Sequence, residues 1–148
     1  MGYLLFSLFL VIFSFVGYID NRQAFEQENR QIETITTQRA IDTVRLINAI
    51  NDYVYDHPDV IDGDNPIVLP HSQVGISVDS AINNVIFRKR VYVWQMPEKG
   101  LMKALKVQTL ASALLGEVKN RRLIDNGSVD MGVEVPTQIP EGAIVYLN

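Results

Sequence analysis

YLLFSLFLVIFSFVGYI, residues 3–19, contains no charged side chain, and Asp20 is the first charged residue of the chain. Only Ser7, Ser14 and Gly17 dilute the apolar run. As a helix rising ~1.5 Å per residue, the run reaches roughly 26 Å, close to the ~30 Å hydrocarbon core of a bilayer. The stretch predicts a membrane anchor over residues 1–20, and the rest of the chain is read as what that anchor carries.

A removable secretory signal combines a basic leader, an apolar stretch of about 7–15 residues and a small-x-small cleavage site. No Lys or Arg precedes this run, and Phe15 stands two residues before Gly17, where a small residue is required. Without cysteine there is no lipoprotein attachment. The expectation is an uncleaved anchor. Arg22, Arg30 and Arg39 lie beyond the run, and no Lys or Arg precedes it. Taken alone, the positive-inside rule therefore favours a cytoplasmic C-terminal part.

The chain has 148 residues, a formal net charge of −4 and a sequence pI near 5.1. The portion beyond the anchor is long enough for one domain with its own core. The acidic balance argues against nucleic acid as a partner, since such a binder needs a basic face. It also argues against an overall electrostatic grip on anionic lipid.

Arg22 to Tyr55 has neither Gly nor Pro and predicts a long helix. At 100° per residue, Phe25, Ile32, Thr36, Thr43, Leu46, Ile47, Ile50, Tyr53 and Val54 form one broad stripe. Arg30, Glu33, Arg45, Asn48 and Asp52 fall outside it. Arg39 interrupts the stripe and is expected to snorkel or to pair with Asp42 three residues on. Pro58 should stop the helix at His57. Residues 21–57 thus form an amphipathic stalk and leading helix. Residues 58–148 form the head.

Within the head, Pro58 to Gln73 has turn composition, and Ser80 to Asn84 could hold a helical turn. Val91 to Gln95 is the clearest strand. A second helix is expected from Pro97 or Glu98 to about Ala113, with Leu101, Leu105 and Leu110 near one face and Met102 beside them. LLGEVKN and RRLID suggest a hairpin turning at Asn120–Arg121, and the DNGS turn comes after it. Val129, Met131, Val133 and Val135 alternate at period 2, and Ala143 to Leu147 form a last strand. The fold class is α+β: transmembrane helix, amphipathic stalk, and a small head with an antiparallel sheet and a second helix.

Chemistry-bearing constellations are sparse. The histidines are His57 and His71, and the lack of Cys removes thiolate catalysis and Cys-based metal sites. No G-x-S-x-G elbow or glycine-rich phosphate loop is present. His57 at a helix C-terminus reads as a favourable cation–dipole contact. The acidic loop Asp56, Asp59, Asp62, Asp64 admits calcium, but Gly63 is misplaced for an EF-hand, and a solvated turn is the simpler reading. Arg88, Lys89 and Arg90 read as a solvated strand edge. Tyr92 and Trp94 share one strand face, read as core or as an interface anchor. Ser7 and Ser14 share a face of the span, with Gly17 near it, and allow a close partner helix. Arg39, Tyr92 and Trp94 are the candidate interaction residues. No catalytic, cofactor-binding or metal-ligating residue is assigned.

A span continuous with an amphipathic helix, then a small antiparallel head, is similar to the layout of type IV pilins and pseudopilins. The processing motif differs: Gly2 precedes Tyr3, nothing basic precedes it, and Ser7 stands where those proteins carry Glu. MGYLLFSLFLVIF, AINDYVYDHP, VYVW, LLGEVKNRRLID and EGAIVYLN together resemble the PilM family of plasmid-type, type IVb thin-pilus systems, over nearly the whole chain. This family is distinct from the actin-like protein of the same name, and no nucleotide motif is present. The resemblance implies a non-enzymatic role in pilus biogenesis, an inner-membrane location and a periplasmic head. It also implies other pilus assembly proteins and membrane lipid as partners, with a second copy of the chain admitted. Two alternatives are a minor pilin entering the filament and a membrane-tethered ligand- or calcium-binding module.

Overall fold

The computed structural model describes residues 2–148. In chain order its elements are α1 (Gly2–Asp56), a 3-10 turn (Pro58–Ile61), β1 (Asn83–Phe87), β2 (Arg90–Gln95), α2 (Leu101–Gln108), β3 (Leu115–Lys119), β4 (Arg122–Asp125), β5 (Asp130–Glu134) and β6 (Ile144–Leu147). The chain divides into two compact units, one ending at Thr34 and one spanning Ile35–Asn148.

The described residues of the first unit are all helical. Its apolar side chains stand open, Phe6, Phe13 and Phe15 among them. By length and composition α1 is a candidate membrane span, and none of its apolar window is buried.

In the second unit, α1 contributes Thr36, Ala40, Asp42, Thr43, Leu46, Ile47 and Ile50 as buried residues, while Arg45, Asn48 and Asp52 are exposed. This matches the helical stripe. Each fully buried Leu or Ile contributes about 1.5–3 kcal/mol, so the apolar half from Leu46 onward fastens this segment more firmly than the Thr36–Thr43 half. The helix ends at Asp56, before the 3-10 turn that Pro58 opens.

The six strands form one sheet in the order β1-β2-β6-β3-β4-β5, and every neighbouring pair is antiparallel. Val91 and Val93 of β2 pack with Leu46, Ile47 and Ile50 of α1. Tyr92 joins Val118, Leu123, Val145 and Leu147 in a second cluster, with Trp94 packed against it. Successive side chains of a strand point to opposite faces, so both faces of β2 are covered. That explains why VYVW reads as an unbroken apolar run. Tyr92 Oη donates to the Glu134 carbonyl oxygen at 3.0 Å, although three strands separate β2 from β5 in the sheet. Strands ~4.8 Å apart would keep a flat sheet's β2 and β5 some 19 Å from each other. The sheet is therefore curled.

Two-residue turns close two hairpins. Arg88 and Lys89 (φ 47° and 64°) link β1 to β2, and Asn120 and Arg121 (φ 52° and 60°) link β3 to β4. Positive φ at both central residues matches the twist of the flanking strands. The expected helical turn over Ser80–Asn84 gives way at Asn83 to β1, whose Val85 and Ile86 are buried on opposite faces. The basic run is accordingly a hairpin turn, with Lys89 reaching Asp62 and Arg88 paired with Glu134.

The second helix is shorter than expected at both ends. Gly100 has φ +85°, outside the helical region, so α2 begins at Leu101, and Leu110 and Ala111 take φ 52° and 54° beyond its end. Leu110 is 90% exposed and does not join the Leu101–Leu105 face. Val129 is also exposed, while Met131 and Val133 pack against the core and Val135 is buried.

The outer edge of β1 is occupied. Ile67 and Ile86 exchange backbone hydrogen bonds, and the Asn84 side chain pairs with both the N–H and the C=O of Leu69.

Candidate interaction surfaces

The three candidate residues do not converge. Arg39 lies on the α1 side of the sheet, whereas Tyr92 and Trp94 belong to the opposite face. Arg39 is not paired with Asp42. Its Nε is 2.7 Å from Asp79 Oδ2 and its Nη1 is 2.6 Å from Glu98 Oε1, with the side chain 18% exposed. The fork-shaped guanidinium satisfies two carboxylates from separate segments, which outcompetes one local partner. Asp42 instead accepts from Gln38 and Arg45. Bonds to Asp79 and then Glu98 raise the Arg39 pKa. The Ala81 N–H, and after it Arg39, holds Asp79 below the usual carboxylate range.

Tyr92 is 1% exposed on an interior strand, and burial raises its pKa. It is a core residue of the sheet. Trp94 is half-buried and keeps some surface.

His57 stacks on Tyr53 with ring centroids 4.2 Å apart, and its Nδ1 is 3.0 Å from the Tyr53 carbonyl oxygen. Tyr53 Oη in turn accepts from Gln73. These contacts close the C-terminus of α1. Asp62 of the acidic loop faces Lys89, and among the described residues no group of three or more His, Cys, Asp or Glu could hold a metal ion. In the candidate span, Ser14 Oγ donates to the Leu10 carbonyl oxygen.

Several polar devices have no signature in the sequence. Arg121 donates to the carbonyl oxygens of Ile139, Val135 and Pro136, at 2.7, 3.1 and 2.8 Å, clamping the segment before β6. Glu141 accepts the backbone N–H groups of Asn120 and Arg121. Buried Gln95 donates to Thr43 Oγ1 at 2.8 Å while its Oε1 has no partner. Of these, only the Asn120–Arg121 turn itself is readable from local residue types. The clamps depend on segments brought together by folding.

The head is thus one curled antiparallel sheet, with α1 and α2 on one face and an apolar cluster enclosed by the curl on the other. A crystal structure of PilM from Escherichia coli B7A has a similar fold, with TM-score 0.65 and 36% identity. The match covers 82% of this chain and 94% of that one. No curated protein matches the sequence. The PilM family model matches residues 10–147. With that match running from the apolar helix to the last strand, the chain belongs to the PilM family.

Proposed function

We propose that the protein is a non-enzymatic inner-membrane component of type IVb pilus biogenesis, single-pass, with a periplasmic head. The observation that carries this reading is α1 itself: one helix combines a candidate membrane span with the segment that seats the sheet. Such a helix couples a head to a bilayer without needing a reaction. Family membership supplies the connection to pilus assembly. The work is done by surfaces that bind other assembly components, and Trp94 is the candidate residue that retains surface for this. His57 closes the end of α1 against Tyr53, and in a protein that works through surfaces, isosteric replacement of His57 or His71 leaves assembly intact.

The same arrangement of α1 on an antiparallel sheet supports a second reading as a minor pilin. Intact mass of the native protein in inner-membrane and sheared-filament fractions separates the two. A full-length chain confined to the inner membrane supports the assembly component. A chain shortened after Gly2 and recovered in filaments makes it a minor pilin.

A further inference from the structure

Tyr18, Asn21, Arg22 and Phe25 line one open groove on α1. At 100° per residue, Tyr18, Arg22 and Phe25 lie within about 60° of one another. Both rings are well exposed, at 66% for Tyr18 and 61% for Phe25. Arg22 is the first Lys or Arg of the chain. Its contact with Glu26 is long, 3.7 Å, between side chains 70% and 56% exposed. Such a pair is worth little and leaves most of the five guanidinium donors available.

The position of this face relative to the apolar run matters. Arg22 stands about 4.5 Å along the helix beyond Ile19, and the headgroup layer is roughly 5–8 Å thick on each side. Phe25 stands about 9 Å beyond Ile19, within reach of that layer once the helix tilts by the ~20° usual for spans. A cation flanked by two exposed rings, held by the neighbouring acid only through a long, solvent-exposed contact, matches the aromatic and phosphate chemistry of a bilayer interface.

We propose that the Tyr18–Arg22–Phe25 face is a phospholipid-headgroup contact: the Arg22 guanidinium donates to a lipid phosphate, and both rings lie in the interfacial layer. The contact fixes the direction in which α1 leans as it leaves the membrane. It rests on the reading of α1 as a membrane span. The overall acidic charge does not oppose it, because one local guanidinium meets one phosphate.

The chain has no cysteine, so single spin labels can be placed cleanly. The full chain is reconstituted at low protein-to-lipid ratio in phosphatidylcholine–phosphatidylglycerol vesicles. Labels are introduced separately by Phe25→Cys, Gln23→Cys, Gln27→Cys and Val11→Cys. Positions 23 and 27 bracket 25 in height but lie on the other side of the helix. Collision with an aqueous nickel chelate should be severalfold lower at 25 than the mean of 23 and 27. Adding Arg22→Gln should bring the three together. Equal accessibility of the three, with position 11 shielded, overturns the headgroup contact and leaves the span intact. Chelate reaching position 11 overturns the span reading and this contact with it. Dipolar broadening between labels at 25 would show a second copy shielding the face, and would also overturn it.

Discussion

The Arg39 guanidinium on α1 lies 2.6 Å from the Glu98 carboxylate, in the segment leading into α2, and 2.7 Å from Asp79, in the segment leading into β1. One side chain ties three stretches distant in sequence. Replacing it leaves two carboxylates without their cation. Arg39→Gln should destabilise the protein by about 1–3 kcal/mol. Arg39→Lys should recover only part of the loss, because a point charge cannot present a fork to both acids. Denaturant unfolding of the full chain in detergent measures both, and a Gln variant as stable as the parent would refute the clamp.

Asp79 gives the clamp a pH dependence. Its folded pKa is depressed, first by the Ala81 N–H and then by Arg39. A depressed carboxylate contributes stability that is fully present above its unfolded pKa of ~3.9 and is lost as pH falls through the lower folded value. Asp79→Asn should therefore weaken the protein at neutral pH and flatten its acid-side loss of stability. Melting temperature tracked from neutral to strongly acidic pH tests this. An unchanged acid limb in the variant would remove Asp79 from the account.

Thr43 and Gln95 form a buried pair that is incompletely satisfied, because Gln95 Oε1 has no partner. Thr43→Val alone should cost about 1–3 kcal/mol by leaving the Gln95 amide unpaired. Adding Gln95→Met should restore or exceed parental stability, since exchanging both partners for apolar groups of similar shape is nearly neutral. A double variant less stable than Thr43→Val alone would contradict this.

Gly116 on β3 has no room for a side chain. A Cβ there would stand 2.7 Å from the Ile124 carbonyl oxygen and 3.1 Å from the Leu123 side chain. Because the nearest obstacle is backbone, the β3–β4 pair must shift. Gly116→Ala should cost about 1–3 kcal/mol, the usual range for overpacking. Hydrogen exchange should show the loss first along β3 and β4, and uniform protection would oppose it.

Helical periodicity is the most informative signal in the sequence. Leu46, Ile47 and Ile50 share one face because a fixed rotation per residue governs them, and they are buried against β2. The Asn120–Arg121 turn is legible because Asn tolerates positive φ. Arg88–Lys89 adopts the same geometry without any such residue, so that turn is not marked by residue type, and Val85–Phe87 of β1 are too short an apolar run to announce a hairpin by themselves. Local chemistry cannot reveal a turn that tertiary pairing imposes. Arg39 shows the same limit: its nearest acid in sequence, Asp42, loses to Asp79 and Glu98, which only the folded chain brings near. Tyr92 reads more readily as core than as surface on local grounds, and the curled sheet buries it with its hydroxyl on the Glu134 carbonyl oxygen.

The Asn84 amide fills the hydrogen-bonding positions of Leu69 as a neighbouring strand would, and Ile67 adds a true bridge beside it. Exposed strand edges invite strand addition from another chain. This edge is capped from within. Recruitment of a partner at β1 by β-augmentation would first have to strip away residues 67–69, so the β1 side of the head is guarded against indiscriminate polymerisation.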